Sequence, residues 1–109
     1  MIIGFVGGTK QRREQLGEKL ADLYHLDMVA DFEELKQSDQ NDCVVLHVHQ
    51  PGEARRLHDD RGARLVQLEM KQAPKVEASC KEFCSFSLNG DGELKKVYQK
   101  LEMTLMGCC

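Results

Sequence analysis

The stretch GFVGGTKQRRE, residues 4–14, has the residue types of an anion-binding turn. It follows the apolar residues 1–3, and it places Lys10, Arg12 and Arg13 at the start of a helical pattern. Glycines let a backbone approach a phosphate closely, and the free N–H groups at a helix start attract anions without a metal. The predicted phosphate or anion site consists of Gly7, Gly8, Thr9, Lys10, Gln11, Arg12 and Arg13. A solvated basic turn, offset by the acidic residues that follow, is the other interpretation.

Residues 4–11, GFVGGTKQ, align with the phosphate-binding pattern G-x-x-x-x-G-K-[ST] and keep its lysine. Thr9 stands where the pattern has its second glycine, and a β-branched residue disfavours a positive φ there. Gln11 stands where the pattern has the hydroxyl that holds magnesium, and it is a poorer ligand for a hard cation. The stretch therefore predicts phosphate binding without magnesium.

A second group of residues lies on and after CVVLHVHQ, residues 43–50, which is the strongest predicted strand. His47 and His49 stand two residues apart, so both side chains point to one face of the strand. The carboxyl end of a central strand is where open α/β sheets bind ligands, so we predict a ligand crevice with His47, His49 and Glu53. A transition-metal or general-base role remains open, as does a hydrogen-bonded or buried histidine pair.

The elements that must position these residues alternate between strands and helices, as is typical of an α/β sheet. The predicted strands are residues 2–6, 26–30, 43–50, 64–70 and 83–88. The predicted helices are residues 10–24, 31–37, 52–60 and 93–106, with a polar loop at 38–42 and an irregular segment at 71–82. The predicted fold is a single three-layer α/β domain with about five mostly parallel strands flanked by helices.

Composition excludes several classes of function. A chain of 109 residues has room for one domain, and its net charge of -3 and its lack of Trp argue against nucleic acid and anionic membranes as partners. No apolar run approaches the ~18–20 residues of a membrane span. The five cysteines are odd in number and lack the spacing of a metal finger, which predicts free thiols and a cytoplasmic location.

Three separated stretches resemble the phage deoxynucleoside monophosphate kinase family, which has the P-loop kinase fold. Residues 2–30 resemble its first strand, phosphate loop, first helix and second strand. Residues 44–70 resemble a stretch in which a strand ends in Asp-Val-Arg-Phe-Pro-Asn-Glu before a helix, a glycine and another strand. Residues 86–102 resemble the last strand, the Asn-Gly turn and the closing helix. The resemblance implies a P-loop-kinase-like fold for most of the chain.

The positions that would carry catalysis depart from this family. His47 and His49 stand where it has Asp and Arg, although Glu53 is retained. Residues 31–42 are too few for the acceptor-nucleotide helices of a monophosphate kinase, and the lid region after Met70 is similarly reduced. We therefore predict a non-catalytic, kinase-derived and phage-encoded protein of the host cytoplasm. It would bind a host or phage protein, for example as an inhibitor, or a nucleotide or phosphate without turnover.

Two other functions remain open. One is a minimal deoxynucleoside monophosphate kinase or nucleotide hydrolase, which would use Lys10, Arg12 and Arg13 and be completed by a second subunit. The other is a small metal-binding protein built on His47 and His49. No cofactor is predicted beyond a nucleotide or phosphate. The apolar end of the last helix, residues 103–106, would pack the sheet edge or make a homodimer contact.

Overall fold

The computed structural model describes residues 1–37, 41–76 and 78–107, and within them five strands form one sheet. The strands are β1 (Ile2–Gly7), β2 (Asp27–Asp31), β3 (Cys43–His47), β4 (Arg64–Glu69) and β5 (Cys84–Asn89). They lie in the order β2-β3-β1-β4-β5, and every neighbouring pair is parallel. The helices are α1 (Lys10–Tyr24), α2 (Phe32–Lys36), α3 (Pro51–Arg61), α4 (Ala78–Lys81) and α5 (Leu94–Gly107). The predicted α/β fold is confirmed.

Helices cover both faces of the sheet, which explains why the central strands are apolar throughout. On one face, Leu16 of α1 and Leu101 of α5 pack in a core cluster with Phe5 of β1. On the other face, Leu35 of α2 and Leu57 of α3 belong to a second cluster, which also contains Cys80 of α4. The result is three layers, with helices α1 and α5 below the sheet and α2, α3 and α4 above it.

Local signals set the ends of several helices. Asp31 begins α2, where its carboxylate accepts a hydrogen bond from the backbone N–H of Glu34 at 3.0 Å. Pro51 begins α3, and Gly62 ends it in a left-handed conformation with φ 63°. Each of these helix ends therefore has a local cause in the sequence.

Other boundaries differ from the prediction. β3 ends at His47 rather than at residue 50, whereas the segment after β4 is irregular as predicted and includes one helical turn, α4. Near the end of α5, Leu105 is buried in the core, whereas Met103 and Met106 are 73% and 64% exposed. Residues 38–40 of the predicted polar loop and the two terminal cysteines lie outside the described residues.

The parallel arrangement brings the carboxyl ends of all five strands to one edge. β1 continues into α1 on one face of the sheet, whereas the neighbouring strand β3 continues into α3 on the opposite face. Where adjacent strands send their connections to opposite faces, a crevice opens between their carboxyl ends. Both predicted groups of site residues follow these two strands.

No helix among the described residues has the length and apolar character needed to cross a membrane.

Candidate functional site

A cleft of about 510 Å³ opens at the carboxyl ends of β1 and β3, and we call it the main cleft. The turn from β1 to α1 forms its floor, residues 47–49 form one wall, and residues 72–76 after β4 form the other. Its charged lining residues are Lys10, Arg13 and Lys75, and none of the described residues that line it carries a carboxylate. The electrostatic character of the cleft therefore favours anions.

The floor of the main cleft depends on two glycines. Gly7 and Gly8 have φ values of 82° and 76°, which non-glycine residues rarely adopt. A Cβ on Gly8 would lie 2.4 Å from Leu68 Cδ2, and one on Gly7 would lie 2.5 Å from Val76 Cγ2. Both positions thus need glycine for conformation and for close packing.

Thr9 has a different role from the one that the aligned pattern gave it. Its φ is -87°, so the positive φ values fall on the two glycines before it and the β-branched side chain causes no strain. Thr9 is the N-cap of α1, and its Oγ1 accepts a hydrogen bond from the backbone N–H of Arg12 at 3.3 Å. The Thr9 N–H donates to Met70 Sδ at 3.4 Å. Its backbone and hydroxyl are therefore already engaged within the protein.

The aligned stretch 4–11 does not form one continuous loop. Gly4 lies within β1, where it pairs with Val45 of β3 and Leu65 of β4. Only residues 8 and 9 separate the end of β1 from the start of α1. The chain therefore offers a short turn and a helix start, rather than a long backbone loop wrapped around a phosphate.

Arg13 is the buried cation of the site, with 8% of its surface exposed. Its Nη1 donates hydrogen bonds to the carbonyl oxygens of Gly8 at 2.6 Å and Gly7 at 3.2 Å. Burial lowers the pKa of Arg13, while Glu14 acts in the opposite direction. A guanidinium stays protonated at neutral pH, so Arg13 both fixes the turn and adds a positive charge to the main cleft.

The structure divides the predicted anion cluster into two parts. The main cleft is lined by five of its seven residues, namely Gly7, Gly8, Thr9, Lys10 and Arg13. Gln11 and Arg12 instead line an adjoining polar cleft of about 330 Å³, which shares Thr9 and Gln72 with the main cleft and which we call the side cleft. There the Nη2 of Arg12 donates to the Gly92 carbonyl at 3.0 Å. Residue 11 therefore does not lie beside Lys10 in the main cleft.

The histidines meet as predicted at the end of β3. His47 and His49 both line the main cleft, and their ring centroids are 4.8 Å apart. The backbone N–H of Val48 donates to the Phe5 carbonyl at 2.9 Å and so fixes this wall against β1. Burial is the largest cause that lowers the pKa of His47; Arg13 and His49 lower it further, and Asp31 opposes them.

Glu53 lies beside the histidines without lining the main cleft. Its Oε1 is 3.7 Å from His49 Nδ1, and its side chain is only 14% exposed. That oxygen is buried and has no hydrogen-bond partner among the described residues. Glu53 is therefore a neighbour of the histidine pair and not part of the cleft wall.

The donor set of the main cleft does not suit magnesium. Magnesium takes oxygen ligands in tight octahedral geometry, whereas the charged and aromatic side chains here are ammonium, guanidinium and imidazole groups, and the side-chain oxygens among the described lining residues are those of Thr9 and Gln72. The Thr9 hydroxyl is engaged as a helix cap, and Gln11 lines the other cleft. Among the described residues, no three His, Cys, Asp or Glu side chains come together as a metal site.

Sequence reasoning missed the wall formed by residues 72–76. It contributes Lys75 as a third cation and Pro74 and Val76 as apolar surface. This segment has neither helical nor strand periodicity. The available signal was its position directly after β4, because β4 is the other neighbour of β1 and ends at the same edge.

No protein-family model matches the sequence, and no curated protein matches it. Among solved structures, the crystal structure of shikimate kinase from Aquifex aeolicus is similar, with a TM-score of 0.72 and 12% sequence identity. The similarity covers 98% of this chain and 97% of that chain. At this identity the likeness shows the fold alone. The chain therefore has a P-loop kinase-like α/β fold.

Proposed function

We propose that the main cleft binds a phosphate-bearing small molecule, either a nucleotide or inorganic phosphate, without magnesium and without turnover. The observation that carries this proposal is the convergence of Lys10, Arg13 and Lys75 on one cleft that has no described carboxylate. Multiple cations with a buried, fixed guanidinium suit the charge and geometry of a phosphate group.

The size and walls of the main cleft support a ligand larger than the phosphate itself. A volume of about 510 Å³ lies within the range of small-molecule sites. Ala73, Pro74 and Val76 provide apolar surface beside the cations. A nucleotide combines an anionic end with a flat, weakly polar base, and it would use both kinds of surface.

The absence of turnover follows from what phosphoryl transfer requires. Catalysis of this reaction depends on positioning and on metal ions that neutralise developing charge on the phosphate oxygens. The residues around the main cleft are poor magnesium ligands, and their positive charge repels a divalent cation. The cleft therefore holds a phosphate group without the means to transfer it.

Binding of another protein is a second candidate function, and the exposed apolar end of α5 favours it. Met103 and Met106 are 73% and 64% exposed, and methionines adapt to varied partner surfaces. We propose a host or phage protein, or a second copy of this chain, as the partner, with inhibition as one outcome. The resemblance to phage kinases supports phage origin, and the free thiols of Cys43 and Cys84 suit the host cytoplasm.

Titration calorimetry with inorganic phosphate, AMP and ATP tests the first proposal. We expect at least one of them to bind in the presence of EDTA, with an affinity that magnesium leaves unchanged, and we expect no ADP to form from ATP. Triphosphate binding that requires magnesium would favour the minimal kinase instead. Failure of all three ligands to bind would refute the proposal. Elemental analysis of the purified protein tests the metal-binding alternative.

A further inference from the structure

His47 and His49 place two titratable rings on the wall of a cleft whose other charged lining residues are all cations. An imidazole ring gains or loses its charge near neutral pH, whereas lysine and arginine stay charged there. This wall of the cleft can therefore change its charge near neutral pH. At a centroid distance of 4.8 Å, two positive rings repel each other. The short distance therefore disfavours a second positive charge once one of the two rings is protonated.

The surroundings of His47 disfavour its protonated form when no anion is bound. Burial, Arg13 of α1 and His49 all lower the pKa of His47, whereas Asp31 at the end of β2 raises it. On the other side of the pair, Glu53 of α3 lies 3.7 Å from His49 Nδ1. The net direction for His47 is downward, so this ring is neutral at pH 7 in the free protein.

An anion bound in the main cleft would favour the protonated form of His47. A phosphate group beside Arg13 and Lys10 would offset their positive charge and attract a proton to the adjacent rings. We propose that binding of a phosphomonoester in the main cleft is coupled to the uptake of up to about one proton by His47. This inference rests on the proposed function and adds a ligand class and a pH dependence to it.

The direction of the pH dependence follows from linkage. His47 is neutral in the free protein and charged in the complex, so affinity rises as pH falls between the two titration midpoints of this ring. Below about pH 6 the phosphomonoester takes its own second proton, and the rise levels off. A phosphodiester carries one negative charge instead of two and would bind more weakly, with less proton uptake.

Titration calorimetry of AMP in EDTA at about pH 7.5 measures the coupling directly, because a phosphomonoester is almost fully dianionic there. In two buffers of different ionisation enthalpy, we expect uptake of about 0.5–1 proton per AMP bound. We also expect about 3- to 10-fold tighter binding at pH 6.5 than at pH 8. The double variant His47→Gln/His49→Gln should lose both effects. The variant His58→Gln, on the exposed part of α3, should keep them.

Nuclear magnetic resonance of the histidine ring C–H groups provides a second measurement on the unmodified protein, in case the double variant fails to fold. AMP should raise the titration midpoint of His47 by about one pH unit or more. AMP binding without proton uptake and without this change would overturn the coupling and leave the proposed function intact. Failure of inorganic phosphate, AMP and ATP to bind would overturn the two together.

Discussion

The two clefts beside the start of α1 are built from neighbouring residues. They differ in their charge and in the contacts that their arginine side chains make. The main cleft gathers Lys10 and Arg13 with a third cation and apolar walls. The side cleft receives Gln11 and Arg12, and there the guanidinium is bound to a backbone carbonyl and lies near Asp91. Each helical residue is rotated by about 100° from the last, so positions 10 and 13 share a face that 11 and 12 do not. Cationic residues that are adjacent in a sequence therefore need not line the same cleft.

The largest expected effect comes from Arg13→Ala. It removes two hydrogen bonds to the β1–α1 turn and the buried charge of the main cleft. We expect a loss of about 1–3 kcal/mol in the free energy of unfolding and at least about 30-fold weaker AMP binding. Urea unfolding and calorimetry measure the two quantities.

Arg12→Ala is the matched control, because it truncates the adjacent arginine of the side cleft. The hydrogen bond from its side chain to the Gly92 carbonyl is exposed to solvent. We expect less than about a twofold change in AMP affinity. Equal losses of binding in the two variants would show that the two clefts act as one site.

Gly8→Ala tests the turn that separates the clefts. The new Cβ would occupy a backbone of φ 76° and lie 2.4 Å from Leu68 Cδ2, so we expect destabilisation by about 1–3 kcal/mol. Gly52→Ala is the control, since it has no neighbour within 4 Å in the first turn of α3. That variant should be neutral or stabilised by up to about 1 kcal/mol, and a similar loss of stability in both would contradict this view of the turn.

Lys10→Ala and Lys75→Ala test the exposed cations of the main cleft. Both side chains are solvent-exposed, so each substitution should weaken AMP binding by only about 2- to 5-fold. Lys100→Ala on α5 removes a lysine that does not line the main cleft and serves as the control. If all three variants weaken binding equally, the attraction comes from the net charge of the protein and not from the cleft.

The smallest expected effect comes from Gln11→Ser, which restores the hydroxyl of the P-loop pattern. Because residue 11 lines the side cleft, the new hydroxyl would not face a phosphate beside Lys10. We expect ATP affinity to change by less than about twofold, with or without magnesium. The appearance of magnesium-dependent ATP binding would contradict the separation of the two clefts.

Much of the fold could be predicted because buried positions place apolar residues at regular spacings in the sequence. The apolar run of β3 and the stripe of α5 that includes Val97 and Leu101 reflect core positions. Pro51 and Gly62 mark the ends of α3 through backbone constraints that apply in any context. The end of β3 was placed too late because Val48 remains buried and bonded to β1 beyond the last strand residue.

The site was less predictable, because it depends on the direction of single side chains and on distant segments. The proximity of His47 and His49 agrees with their i, i+2 spacing, although β3 ends at His47 and His49 lies beyond it. The separation of Gln11 from Lys10 depends on where α1 begins, and the aligned pattern placed a loop where β1 still continues. Lys75 reaches the main cleft through an irregular segment whose path no periodicity encodes.

A crystal of the protein soaked with ATP and magnesium tests the central claim most directly. We expect electron density for phosphate in the main cleft, against Arg13 and Lys10, with no divalent ion coordinated beside it. An octahedral magnesium ion bound to the triphosphate at the start of α1 would contradict metal-independent binding. Phosphate density in the side cleft, against Arg12, would contradict the assignment of the site.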